Sequence, residues 1–131
     1  MIPQATKLAV VDDDPQVRIS LQRLLAPEGF EVMTFGSGRA LLETLEGRLP
    51  DCLIMDIHMP GPNGFETVAI LREQGLDPRV IFISGDDVEQ LVRQYPGTRS
   101  KILSKPFNSA NLLSALRHAL QPNQETDEVH P

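Results

Sequence analysis

The sequence predicts an α/β domain in which a parallel sheet is covered by helices on both faces. Three observations carry this. Five short β-prone runs alternate with five amphipathic helical stretches between Leu8 and Leu120. The run Cys52 to Met55 is continuously apolar and bounded by turn residues, the pattern of a strand buried on both faces. Polar residues follow the strands, and a parallel sheet gathers such residues along one edge.

Leu8 to Val11 reads as the first strand. Asp12-Asp13-Asp14-Pro15 follows, and a proline in a first turn after acidic residues starts a helix. Val17, Leu21, Leu24 and Leu25 then recur on one helical face, until Pro27-Glu28-Gly29 ends it. Phe30 to Phe35 alternates apolar and polar residues, which suits a less buried, edge-like strand. Ser37 or Gly38 opens a second helix with Leu41, Leu42 and Leu45 inward, closed by Gly47 and Pro50.

The third strand, Cys52 to Met55, leads to Asp56 and then to a Pro/Gly-rich loop. Asn63 or Gly64 starts a third helix, with Phe65, Val68, Ala69 and Arg72 on successive turns, ended by Gly75 and Pro78. Val80 to Ile83 is the fourth strand. Val88, Leu91, Val92 and Tyr95 mark a fourth helix, broken by Pro96-Gly97. Ile102-Leu103 marks a shorter fifth strand. Asn108 or Ser109 caps a fifth helix bearing Leu112, Leu113, Leu116 and Leu120. Residues 1–5 read as an N-terminal extension, 6–121 as the domain, and 122–131 as a polar, acidic tail or the start of a linker.

The chain of 131 residues suits one domain, and 40% hydrophobic residues suffice for a core. A net charge of -6 argues against a domain built to grip nucleic acid. Cys52 is the single cysteine, so no internal disulfide forms. No apolar run is long enough to span a membrane. Met1 to Lys7 is too short and polar for a signal peptide, so the expected location is the cytoplasm.

The stretch that organises the rest is Leu53-Ile54-Met55-Asp56-Ile57-His58-Met59-Pro60-Gly61. An apolar strand carries one carboxylate, Asp56, to the rim of the sheet. Strand one delivers Asp12 and Asp13 to the same edge, strand four Ser84, and strand five Lys105. Three clustered carboxylates repel and need a proton or a cation. Oxygen-only ligands favour a hard ion such as Mg²⁺, which keeps waters and completes its shell with phosphate oxygen. Lys105 and Ser84 offer a charge and a hydrogen bond to an incoming anion. Carboxylates form aspartyl phosphates. The set therefore suits a phosphoryl group accepted on Asp56, with Mg²⁺ held by Asp12 and Asp13.

Over residues 6–121 the chain resembles the receiver domain of two-component response regulators. The resemblance rests on Val10-Val11-Asp12-Asp13-Asp14, Met55-Asp56-Ile57-His58-Met59-Pro60-Gly61, Ile83-Ser84-Gly85 and Lys105-Pro106-Phe107. It implies a flavodoxin-like (βα)5 fold with strand order 2-1-3-4-5. It implies Asp56 as phosphoacceptor, Asp12, Asp13, Asp56 and the His58 backbone carbonyl as Mg²⁺ ligands, Ser84 as the switching hydroxyl and Lys105 as the phosphate contact. It implies a cis bond before Pro106. Ile102 stands where the family often has an aromatic switch. His58 and Asp86 stand where related receivers tune hydrolysis. The implied partners are a sensor histidine kinase or a histidine phosphotransfer protein. Helix four, strand five and helix five would serve a homodimer or an effector, without membrane or direct nucleic-acid contact. Output would come from a stand-alone receiver or through a further C-terminal domain, of the DNA-binding kind that similar receivers precede, and the chain would not be an enzyme in the ordinary sense.

Other readings fit less well. A metal-dependent phosphohydrolase would place an acid two residues after its nucleophile, where this chain has His58. An FMN or nucleotide binder would have a Gly-rich phosphate loop after strand one, where this chain is acidic. A degenerate docking scaffold would lack some of the five site positions, all of which are present. Asp14 reads as a helix cap, Cys52 as a small core residue, His118 as surface and His130 as part of the tail.

Overall fold

A computed structural model describes residues 5–95 and 102–121. Five strands, β1 (Lys7–Val11), β2 (Glu31–Phe35), β3 (Cys52–Asp56), β4 (Val80–Ser84) and β5 (Ile102–Ser104), form one sheet. Its order is β2-β1-β3-β4-β5 and every neighbouring pair is parallel. The helices are α1 (Pro15–Leu25), α2 (Gly38–Leu45), α3 (Gly64–Glu73), α4 (Val88–Gln94) and α5 (Ser109–Leu120). A short 3₁₀ turn, Ala26–Glu28, follows α1 at the Pro27-Glu28-Gly29 stop. Pro96-Gly97, the tail from residue 122 and His130 lie outside the described residues.

Alternation along the strands sends side chains to two separate cores. Ala9, Val11, Leu53, Met55 and Phe82 face α2, α3 and α4, where Leu41, Phe65, Val68, Leu71 and Leu91 are buried. Leu8, Val10, Cys52, Ile54, Ile81 and Ile83 face α1 and α5, where Leu21, Leu25, Leu112 and Leu116 are buried. The sheet is therefore wound on both sides. Strand β2 has one paired neighbour and is only half-buried, as its alternating sequence implies. Cys52 is fully buried and His118 exposed, as expected.

Local chemistry sets the helix starts. Asp14 accepts the Gln16 N–H, Ser37 the Ala40 N–H and Asn108 the Asn111 N–H. Asn63 and Glu66 form a reciprocal capping box at α3.

Several strand bounds shift by one residue from the sequence reading: β1 begins at Lys7 rather than Leu8, and β4 and β5 end at Ser84 and Ser104 rather than Ile83 and Leu103. Strand β2 begins at Glu31 rather than Phe30. Strand β3 runs one residue further than its apolar stretch, because Asp56 pairs in register with Ile83 of β4. The buried face of α3 is Gly64, Phe65, Thr67, Val68 and Leu71, with Ala69 and Arg72 exposed. A Cβ on Gly38 would collide with the Thr67 hydroxyl, so Gly38 lets α2 press on the Thr67 side of α3.

Candidate functional site

All the residues singled out at the strand ends meet at the carboxyl edge of the sheet. Asp12 follows β1 and is fully buried. Its N–H donates to the Phe35 carbonyl at 3.1 Å, and its Oδ1 accepts the Asp14 N–H at 2.9 Å. Asp13 follows and is exposed. Asp56 ends β3 and is 5% exposed. One carboxylate oxygen from each of Asp12, Asp13 and Asp56 lies within 4.8 Å of the others.

Lys105 reaches this cluster from the last strand. Its N–H donates to the Ser84 carbonyl at 2.7 Å, which continues the β4–β5 pairing and aims the side chain at the rim. Its Nζ lies 3.3 Å from Asp12 Oδ2 and 3.6 Å from Asp56 Oδ1. One ammonium thus bridges two buried carboxylates. The Lys105–Pro106 peptide is cis, as the resemblance implies.

One cation is not enough for three acids. Burial pushes the Asp56 carboxyl up from 3.8 to about 6, the neighbouring Asp12 charge adds to the rise, and Lys105 opposes it. The site is therefore short of positive charge near neutral pH. The donor set is all oxygen, close-set and partly buried, which fits a hard divalent cation such as Mg²⁺.

Ser84 ends β4 and is fully buried. Its Oγ accepts the Asp86 N–H at 3.0 Å, so here the hydroxyl is engaged with its own loop. His58, two residues beyond Asp56, and Asp86, two beyond Ser84, meet each other: Nε2 and Oδ2 are 2.6 Å apart. Both side chains remain more than half exposed. Ile102 is half-buried against the same core as Tyr95, and Tyr95 stacks on Phe65 at 4.1 Å between ring centroids.

Gly64 fixes the loop after Asp56. Its N–H donates to the Ile57 carbonyl at 2.8 Å. A Cβ there would stand 2.5 Å from the Asp56 carbonyl oxygen and 3.0 Å from Ile57 Cα. Backbone cannot yield as a side chain can. Gly64→Ala is expected to cost roughly 2–3 kcal/mol, read as a lower urea midpoint at unchanged m-value. A midpoint equal to wild type would show that the loop moves freely.

Sequence reasoning passed over three contributors. Arg18 donates from Nη1 to the Asp12 carbonyl at 2.6 Å. The Phe35 carbonyl anchors Asp12 from β2. Gly64 gives the loop after Asp56 its close turn, whereas its sequence position marks only a helix start. The periodicity of α1 marks Arg18 as a half-outward residue, and nothing local announces its target.

The response regulator receiver domain family matches residues 8–117. Nodulation protein W of Bradyrhizobium diazoefficiens is 34% identical over 121 residues, covering 92% of this chain and 53% of that protein. The C4-dicarboxylate transport transcriptional regulatory protein DctD of Pseudomonas aeruginosa is 37% identical over 117 residues, covering 88% of this chain and 25% of that protein. Among solved structures, the chemotaxis protein CheY4 of Vibrio cholerae superposes with a TM-score of 0.76 at 29% identity, covering 88% of this chain and 99% of that one. The signal receiver domain of an HD domain-containing protein from Pseudomonas fluorescens Pf-5 gives 0.81 at 25% identity, covering 99% and 97%. The chain belongs to the receiver domain family of two-component response regulators, and its fold is the flavodoxin-like fold of those domains. It is a module of phosphorelay signalling. It spans about half the length of nodulation protein W and a quarter of DctD. Among the described residues no helix is long and apolar enough to cross a membrane.

Proposed function

We propose that Asp56 is the phosphoacceptor of this receiver and that Asp12, Asp13, Asp56 and the His58 backbone carbonyl hold Mg²⁺. The observation that carries this is the Lys105 ammonium set between Asp12 and Asp56 beside a third carboxylate, Asp13. A bound Mg²⁺ would supply the charge that lets Asp56 stay ionised and that offsets the negative charge of the transferred group. The Asp56 carboxylate oxygen attacks phosphorus while the phosphorus–nitrogen bond to the donor histidine breaks, and the imidazole leaves with that electron pair. Lys105 steadies the phosphoryl oxygens. Ser84 exchanges its bond with the Asp86 N–H for one to the phosphoryl group, and the β4–α4 loop moves with it. Hydrolysis then returns the carboxylate and inorganic phosphate.

The donor is a sensor histidine kinase or a histidine phosphotransfer protein. An open, mainly apolar groove of about 380 Å³ lies beside Lys105, lined by Val17, Leu21 and Leu24 of α1 with Pro106 and Phe107. This groove supports a donor helix approaching on that side. The response leaves through α4, β5 and α5, to an effector, a second copy or a further domain. In this reading residues 6–121 are the receiver, 1–5 an extension and 122–131 a tail or linker, and the protein works in the cytoplasm as a signalling module rather than an enzyme.

Acetyl phosphate with Mg²⁺ tests the reading. Intact mass should gain one phosphoryl group in the wild type, only with Mg²⁺, and none in Asp56→Asn. Gain that survives in Asp56→Asn would remove Asp56 from this role.

A further inference from the structure

Asp12 is held more completely than an ordinary ligand needs to be. Its N–H bonds to β2, its Oδ1 is bonded by the Asp14 N–H, and its Oδ2 faces Lys105. Its carbonyl is held by Arg18, whose Nη1 donates at 2.6 Å. Arg18 comes from α1, yet its guanidinium also lies against Gly36 at the end of β2. A Cβ built on Gly36 would stand 3.3 Å from Nη1, 3.7 Å from Cζ and 4.0 Å from Nη2. One half-buried side chain therefore spans the loop after β1, the loop after β2 and the first turns of α1.

We propose that Arg18 is a positioning residue for the metal site: by clamping the Asp12 carbonyl over Gly36, it presets the Asp12 carboxylate for the cation. This rests on the reading of Asp12, Asp13 and Asp56 as Mg²⁺ ligands. Two effects of Arg18 oppose each other, and the sign of the outcome separates them. As a bare positive charge near a cation site, Arg18 would weaken Mg²⁺ binding through repulsion. As a clamp, it would strengthen binding, because the loop's ordering is completed before the ion arrives. The 2.6 Å bond and the fit over Gly36 favour the clamp, since a charge acting at a distance needs neither.

The test is calorimetric titration of Mg²⁺ into the wild type, Arg18→Met, Arg18→Gln and Arg18→Lys, each first shown to melt cooperatively. Met and Gln remove the charge and the reach together. Both are expected to weaken Mg²⁺ binding about tenfold, within the range seen when groups behind a metal ligand are removed. Lys keeps the charge and one donor and is expected to recover part of the loss. A merely structural role would lower the melting midpoint and leave the affinity of the folded protein unchanged. Unchanged or tighter binding in folded Arg18→Met, or in Arg18→Gln if Met does not fold, overturns the inference. If the wild type itself takes up no Mg²⁺, the reading of the site fails and takes the inference with it.

Discussion

Asp56→Asn should make the Mg²⁺-free protein more stable above neutral pH, although it removes the central side chain of the site. The wild-type carboxyl is raised from 3.8 to about 6 by burial and by Asp12. The folded form therefore holds that proton more tightly than the unfolded chain does. The stability this confers is fully present below the unfolded value and is lost as pH rises through the folded one. The loss amounts to at most about 3 kcal/mol, and roughly half of it is already incurred at pH 5. Asparagine has the same shape and no charge to bury. The variant should exceed the wild type by about 2 kcal/mol at pH 7.5, or roughly 6–10 °C in melting midpoint. The gap should shrink at pH 5. It should also narrow in saturating Mg²⁺, which binds the folded wild type more tightly than the variant. Thermal melts of both proteins at the two pH values, with and without Mg²⁺, read all of this. A gap that is the same at pH 5 and pH 7.5 would mean that the Asp56 charge is not its source.

Lys105→Met should separate metal binding from phosphoryl transfer. The ammonium sits 3.3 Å from Asp12 and 3.6 Å from Asp56. Removing it takes a competing cation away from the acid cluster, so Mg²⁺ should bind more tightly. The same change removes a fixed donor for the phosphoryl oxygens. Loss of one such preorganised contact costs about 10²–10³ in rate. The expected result is saturation at a lower Mg²⁺ concentration and slower phosphorylation by acetyl phosphate at saturating metal. A phosphorylation rate within twofold of the wild type would show that Lys105 serves only to hold the two carboxylates together.

Much of the site is legible in the sequence because strand ends are. A short apolar run followed by an aspartate, a serine or a lysine says which side chain emerges at the edge. The parallel alternation of strands and helices then brings those edges together. Asp12, Asp13, Asp56, Ser84 and Lys105 all follow from this. Caps at Asp14, Asn63 and Asn108 are equally legible, since each bond spans two or three residues. What depends on packing is hidden. That Thr67 is buried in α3 depends on how closely Gly38 lets α2 approach it, which periodicity alone does not show. Arg18 acts on a carbonyl six residues back and on a glycine of another loop, and neither contact leaves a trace in spacing. His58 and Asp86 each stand out by position, but their contact needs β3 and β4 side by side.

That contact is also the weakest of the ties around the site. His58 and Asp86 join the loops after β3 and β4 through two side chains that are 54% and 60% exposed. A tie between such exposed groups is worth at most about 1 kcal/mol. At that strength the two side chains are apart in about one molecule in six or more at any moment. The tie is therefore a loose latch rather than a lock: the loop after β4, which also carries the Ser84–Asp86 bond, is joined to the loop after β3 by a contact that little free energy undoes.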